Sequence, residues 1–185
     1  MKSRNFKSIK HQAGLGIIEL LIVIGIILGV LAFIFLLSGY ASAIVNAYRG
    51  ANSTLAHMTN IQTVYNGTPS YAGTSTAGIA KESIIDKKYL AGGAGTISNV
   101  FGGQVTVAPG TTNGLANNTL LYTDGSVAKK ACSFFVSSIA DSVDTIDVAG
   151  TVIKAFGGSV DAPALATACA SAESVAVTSG KIKPN

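Results

Sequence analysis

The sequence is poor in the residues that mark several protein classes. Its 185 residues include 2 cysteines, 4 prolines and no tryptophan, and only 12% of them are charged. So few cysteines exclude a disulfide-dense mini-protein, and so few prolines exclude a collagen-like or proline-rich chain. Hydrophobic residues make up 48% of the chain and the mean hydropathy is +0.46. This content excludes a disordered chain and is high for a water-soluble domain.

The positive charge of the chain is confined to its N-terminus. Four cations, Lys2, Arg4, Lys7 and Lys10, account for the formal net charge of +4, because the other 9 basic residues are matched by 9 acidic ones. Basic residues directly before an apolar run indicate membrane topology rather than nucleic-acid binding. We therefore expect no strong nucleic-acid binding.

One segment of the sequence is able to cross a membrane. The run from Leu20 to Leu37 has 18 consecutive apolar residues, and no charged residue lies between Glu19 and Arg49. As a helix this run is ~27 Å long, close to the ~30 Å hydrocarbon core of a bilayer. Because Lys and Arg are enriched on the cytoplasmic side, the residues after the run are expected outside the cytoplasm.

Two general interpretations explain part of this N-terminus. In a cleaved secretory signal peptide, Ala41-Ser42-Ala43 would be the cleavage site, but the apolar run exceeds the usual ~7–15 residues. In an uncleaved signal anchor, the chain would be a membrane-anchored periplasmic domain. Neither gives a role to Glu19, although a carboxylate in or near lipid costs about 2.5–3.5 kcal/mol.

A third interpretation uses the residues around Glu19. The segment Gln12-Ala-Gly-Leu-Gly-Ile-Ile-Glu19 closely resembles the type IV prepilin signature. That signature consists of a short basic leader ending in Gly, a hydrophobic first mature residue and a Glu as the fifth mature residue. The resemblance implies that residues 1–14 are a leader, which a prepilin peptidase cleaves between Gly14 and Leu15.

The resemblance to the prepilin family implies further roles and partners. The new α-amine of Leu15 is commonly methylated in this family, and in a staggered filament it would meet Glu19 of a neighbouring subunit. The alternative is that Glu19 interacts with its own helix N-terminus. The implied partners are further copies of the chain, a prepilin peptidase, an inner-membrane platform protein, an assembly ATPase and a secretin. The subunit would be a single-pass protein of the inner membrane before it joins an extracellular pilus (fimbrium).

Helical spacing predicts one long helix over residues 15–66. Residues 15–38 are expected to form the membrane-spanning and filament-core part, where Gly25 and Gly29 form a Gly-x-x-x-Gly pair that lets helices approach closely. Tolerance of glycine in a membrane helix is the alternative explanation. The remaining part is amphipathic. The apolar residues at helical spacing are Ile44, Tyr48, Leu55, Met58, Ile61 and Tyr65.

Residues 67–185 predict a globular α+β head with a small antiparallel sheet. The patterns predict helices over 79–90, 127–140 and 161–173, strands over 104–108, 119–122 and 174–178, and a hairpin over 145–156. In the hairpin, the residues expected to face inward are Ile146, Val148, Val152 and Phe156. The Phe101-Gly-Gly segment predicts a turn rather than a phosphate-binding loop.

Cys132 and Cys169 are the only cysteines, and both lie on the side of the membrane expected to be oxidising. Two cysteines admit one pairing, and a disulfide closing so long a loop is worth roughly 4 kcal/mol. The alternative is a metal site, which needs more ligands than His11 and His57 supply, and His11 lies on the cytoplasmic side. We predict the disulfide, with no metal and no cofactor.

The head also resembles the type IVb pilin branch. The segments Val64–Tyr71, Asn99–Val107 and Lys130–Cys132 are similar to those of bundle-forming and conjugative thin-pilus major pilins. The resemblance implies the type IV pilin fold, with a long N-terminal helix packed on the head. It also implies a major pilin whose fibre serves adhesion, aggregation or conjugative contact, or alternatively a minor pilin or a type II secretion pseudopilin. The residue patterns of hydrolases are missing from the sequence, so no enzyme is predicted.

Overall fold

The computed structural model describes residues 13–82, 84–90 and 95–183, and the predicted leader residues 1–12 lie outside the described residues. The chain divides into two compact units, with the division between Tyr40 and Ala41. Helix α1 extends from Ala13 to Val64 and therefore contributes to both units. The predicted helix over 15–66 differs from α1 by two residues at each end, which is the usual uncertainty of a helix boundary.

In the first unit, α1 is an apolar helix whose described side chains are exposed. The described large apolar side chains from Ile18 to Phe35 are between 44% and 75% exposed. The helix is long and apolar enough to cross a membrane by length and composition. An exposed apolar surface of this size is typical of a segment that contacts lipid or another protein.

In the second unit, the described residues form a six-stranded sheet in the order β1-β2-β3-β6-β4-β5. The strands are β1 (Ile97–Ser98), β2 (Gln104–Thr112), β3 (Leu115–Ala128), β4 (Thr145–Val148), β5 (Thr151–Lys154) and β6 (Ser174–Ile182). Every pairing is antiparallel, which confirms the predicted sheet type. The last strand of the chain, β6, lies between β3 and β4 and so joins the two parts of the sheet.

The second half of α1 packs into the core through small residues. Met58 and Ile61 are buried as predicted, but Tyr48 is 54% exposed. The rest of the buried stripe consists of Ala47, Gly50, Ala51, Thr54 and His57. A Cβ added to Gly50 would lie 2.8 Å from the Phe101 ring, so the small residues allow a close approach. The sequence prediction rested on large apolar residues at helical spacing and therefore did not include these small buried residues.

The other helices are shorter than the sequence predicts. The prediction of one helix over 79–90 is wrong, because α2 covers Thr76–Lys81 and a 3₁₀ turn covers Lys87–Tyr89. Asp86 accounts for the start of the 3₁₀ turn, because its carboxylate accepts a hydrogen bond from the Lys88 amide at 3.3 Å. Such an N-cap favours a new helical turn.

Two further helices lie between β3 and β6. Helix α3 covers Lys129–Ile139 and helix α4 covers Ala162–Ala170. The side chain of Asp161 caps α4 by accepting a hydrogen bond from the Ala164 amide at 3.0 Å.

The hairpin over β4 and β5 is confirmed, but two of its predicted inward residues are wrong. Val152 is 63% exposed and Phe156 is 48% exposed, whereas Ile153 is 1% exposed. The register explains the difference: Asp147 pairs with Val152 and Ile146 pairs with Lys154, so Ile153 is an extra residue. Such a bulge changes which side chains face the core.

The predicted disulfide between Cys132 and Cys169 is confirmed. It joins α3 to α4, and the two Cα atoms are 5.7 Å apart. This distance lies within the usual range for a disulfide. Both cysteines are buried, so the bond is part of the core.

We expect replacement of Cys132 and Cys169 by Ala to lower the free energy of unfolding by about 2–5 kcal/mol, because the open chain gains conformational entropy when it unfolds. Urea unfolding of the full chain in detergent micelles measures this change. A reductant should destabilise the wild type and leave the double variant unchanged. Equal stability of the reduced and oxidised wild type would contradict the prediction.

Candidate functional site

The residues of the predicted leader junction lie at the start of α1. Because α1 begins at Ala13, the Gly14–Leu15 bond belongs to the first helical turn. Glu19 follows Leu15 by four residues, so the two lie on one face of the helix, one turn apart. Glu19 is exposed, and no cation of the described residues lies within 4.0 Å of its carboxylate. The cleavage and methylation of Leu15 stay predictions.

The glycine pair predicted to pack helices lies on the uncovered apolar surface. A Cβ added to Gly25 or Gly29 would meet no atom within 4 Å. Residues four apart lie on one face of a helix, so the pair forms a shallow notch between large apolar side chains. The notch is open to another helix, and packing of a second helix there stays a prediction.

The second unit contains a buried carboxylate that joins α1 to the sheet. Asp124 of β3 is 1% exposed. It accepts hydrogen bonds from the Thr54 hydroxyl at 2.8 Å and from the Asn99 amide at 3.2 Å. Because Thr54 belongs to α1, this contact fixes where the helix lies on the sheet. The inward position of Asp124 cannot be read from the sequence, because only the strand register shows that it faces the core.

Asn99 organises the turn predicted at Phe101-Gly-Gly. Its side-chain oxygen accepts hydrogen bonds from the amides of Phe101 at 3.0 Å and Gly103 at 2.9 Å. Its amide group also donates to the Gly125 carbonyl at 2.8 Å. A Cβ on Gly103 would lie 1.9 Å from that carbonyl oxygen, so only glycine fits. The two glycines therefore serve close packing and a turn.

A second polar contact lies one helical turn beyond Thr54. His57 is 5% exposed, and its Nδ1 lies 2.8 Å from the Tyr122 hydroxyl of β3. Burial lowers the pKa of His57 to about 4, so its ring is neutral at pH 7. Burial likewise raises the pKa of Tyr122 above its usual range. The pair is therefore a neutral hydrogen bond between helix and sheet.

The pKa of Asp124 changes in the opposite sense to that of His57. Burial raises the pKa of this carboxyl group to about 6, although the hydrogen bonds from Thr54 and Asn99 oppose the rise. At pH 7 the carboxyl group is therefore largely ionised although it is buried, and the hydrogen bonds from Thr54 and Asn99 stabilise its charge. Among the residues that the structure describes, no cluster of three His, Cys, Asp or Glu side chains could hold a metal ion.

We expect Asp124→Asn and His57→Asn to change the pH dependence of stability in opposite directions. The folded Asp124 binds its proton more tightly than the unfolded chain does, so its contribution to stability falls as the pH rises from about 4 to 6. The folded His57 binds its proton less tightly, so its contribution rises between about pH 4 and 6.5. Relative to the wild type, the Asp124 variant should gain stability with rising pH and the His57 variant should lose it.

Urea unfolding at pH values from 4 to 7 measures these two differences. The limiting slope for one group is about 1.4 kcal/mol per pH unit. Subtraction of the wild-type curve removes the contribution of every other titrating group. Parallel curves for the wild type and either variant would contradict the expectation for that residue.

Comparison with known proteins gives relatives for the second unit. The chain matches the PilS N-terminal family over residues 43–180. No curated protein sequence matches it.

Two solved structures share the fold. A type IVb pilin from Salmonella typhi has a TM-score of 0.58 and 22% identity, over 73% of this chain and 98% of that chain. TcpA, a type IV pilin from the Vibrio cholerae El Tor biotype, has a TM-score of 0.53 and 17% identity, over 76% of this chain and 99% of that chain. The order of helix and antiparallel sheet thus confirms the α+β pilin fold predicted from the sequence. Since the family match covers more than half of the residues, the chain belongs to the PilS family.

Proposed function

We propose that this chain is the structural subunit, and the major pilin, of a type IV pilus. The observation that carries the proposal is the uncovered apolar surface of α1 from Ile18 to Phe35. Such a surface is stable only in lipid or against other apolar helices. The membrane covers it before assembly, and the helices of further copies cover it in the fibre.

Cleavage between Gly14 and Leu15 gives Glu19 a partner. The new α-amine is a cation at the end of the helix that carries Glu19. An acidic group in an apolar environment requires a partner, because its charge is otherwise costly. In a staggered fibre the amine of one copy pairs with Glu19 of the next. Contacts of this heterologous kind do not close and therefore produce a filament.

The same proposal assigns locations and partners. The basic residues before Gly14 hold the leader in the cytoplasm, and the oxidised cysteines suit a head outside it. A prepilin peptidase removes the leader and methylates Leu15. A platform protein and an assembly ATPase move the subunit out of the inner membrane, and a secretin conducts the fibre to the cell surface. The fibre serves adhesion, aggregation or conjugative contact.

We expect the protein isolated from cells to begin at Leu15 with one added methyl group, as measured by intact mass and N-terminal sequencing. The variant Gly14→Val should retain the leader, because the residue before the cleaved bond is a glycine in the prepilin signature. Gly16→Val is the matched control, since Gly16 lies two residues away on the same exposed helix and should not block cleavage. A start at Met1 or at Ile44 would contradict the proposal.

We expect Glu19→Gln to be cleaved normally but to give few fibres. Loss of one partner leaves the amine of each neighbour unpaired, at a cost of ~3 kcal/mol or more per contact. The yield of subunit in sheared fibres should fall roughly tenfold or more. Glu82→Gln is the control, because it replaces an exposed acid of the second unit and should leave the yield of subunit in sheared fibres unchanged. Normal fibre yield from the Glu19 variant would overturn the pairing, and scarcity of the wild-type chain in fibres would indicate a minor pilin or pseudopilin.

A further inference from the structure

The second unit carries two Asn-Gly dipeptides in exposed turns. Asn66-Gly67 follows the end of α1, and Asn113-Gly114 connects β2 to β3. All these residues are exposed, and neither asparagine side chain makes a hydrogen bond with the residues that the structure describes. Glycine has no Cβ to shield its backbone nitrogen, so an asparagine before glycine is open to attack by that nitrogen. Both dipeptides are therefore chemically suited to deamidation.

Deamidation of such a dipeptide proceeds without an enzyme. The backbone nitrogen of the glycine loses its proton and bonds to the side-chain carbonyl carbon of the asparagine. The carbon–nitrogen bond to the side-chain amino group breaks, and this group leaves with the proton as ammonia. Water then opens the cyclic imide at either of its carbonyl carbons, which gives an aspartate or an isoaspartate. A neutral side chain thereby becomes a carboxylate.

The structure holds Asn113-Gly114 in a tight hairpin. Asn113 has a φ of +54° and Gly114 a φ of +74°, which is typical of a type I′ turn. Thr112 pairs with Leu115 across this turn. The Asn118 side chain bonds both the amide and the carbonyl of Thr112, at 2.9 and 3.0 Å. Ring closure requires the backbone to rotate between Asn113 and Gly114, which would break this strand pairing.

Asn66-Gly67 lies outside any strand pairing. The Gly67 amide makes no hydrogen bond with the described residues, and a Cβ added to Gly67 would meet no atom within 4 Å. The turn around the dipeptide is closed by Thr68, whose amide and hydroxyl donate to the Tyr65 carbonyl at 3.1 and 2.8 Å. Rotation at Asn66 therefore disturbs one surface turn and leaves the sheet intact. Local opening of this kind costs less free energy than opening of a strand pairing.

Lys183 places a cation beside this turn. Its Nζ donates a hydrogen bond to the Tyr65 carbonyl and lies 3.5 Å from the Thr68 hydroxyl. These two residues directly flank Asn66-Gly67 in the sequence. No carboxylate of the described residues lies within 4.0 Å of the Lys183 ammonium group. A nearby cation favours loss of the glycine amide proton and stabilises the oxyanion that forms when the nitrogen attacks.

We propose that Asn66 is a site of spontaneous deamidation, promoted by Lys183, and that the fold protects Asn113 from the same reaction. The new carboxylate lies in a groove of about 210 Å³. The groove is lined by Thr59, Gln62, Thr63, Asn66, Tyr71 and Lys183. Lys183 is the one charged residue of this lining, so deamidation changes its net charge from +1 to zero. The reaction concerns the single subunit and does not depend on assembly into a fibre.

Peptide mass spectrometry of the full chain in detergent micelles tests this order of reactivity. The protein is incubated at mildly alkaline pH, and fragment masses give the deamidated fraction at each asparagine over time. We expect Asn66 to react at least about tenfold faster than Asn113 in the folded chain. In urea the two should react at similar rates, because both precede glycine and the fold no longer separates them. Equal rates in the folded chain, or a faster reaction at Asn113, would overturn the proposal.

Matched variants test the contribution of the cation. Lys183→Gln should slow deamidation at Asn66 at least about threefold and leave the rate at Asn113 unchanged. Lys183→Arg keeps the charge and should keep the rate, whereas Lys87→Gln removes an exposed cation that does not line the groove and should have no effect. An unchanged rate in Lys183→Gln, or an equal decrease in Lys87→Gln, would overturn the assigned role of Lys183. The comparison of the wild type in buffer and in urea needs no variant, so it remains decisive if Lys183→Gln fails to fold.

Discussion

The structure of this protein depends on an apolar helix surface that the described chain does not cover. From Ile18 to Phe35 the large apolar side chains of α1 are exposed, so water is an unfavourable environment for this segment. The proposed function requires this surface to be stable both in lipid and against other copies of the helix. This double requirement accounts for a glycine pair that admits a close neighbour and for a single acid, Glu19, whose charge needs an external partner.

The head is subject to a different constraint, because one face of the same helix must pack at a single position on the sheet. The buried stripe around Ala47 and Ala51 lets α1 pack close to the sheet. It does not fix the position of the helix, because small apolar side chains allow the helix to slide along the sheet. The directional bonds from Thr54 to Asp124 and from His57 to Tyr122 remove that freedom, because each polar atom loses its partner when the helix shifts. These buried polar groups thus restrict the packing of α1 to one register.

The features predicted correctly from the sequence need little information about strand pairing. The long helix α1 needs only a continuous apolar and amphipathic pattern, and the disulfide needs only a count of cysteines. The inward role of Asp124 and the bulge at Ile153 depend instead on pairing between strands distant in sequence. The place of β6 between β3 and β4 is non-local in the same way, so neither periodicity nor turn residues could predict it.

The polar contacts of α1 also fix the backbone that carries its exposed side chains. Thr54 and His57 hold the helix to β3, so the side chains of Arg49 and Asn52 project from a fixed backbone. His57 contributes to this packing through Nδ1, which lies 2.8 Å from the Tyr122 hydroxyl in the core. Its neutral ring, maintained by burial, lets this hydrogen bond join helix and sheet without a buried charge.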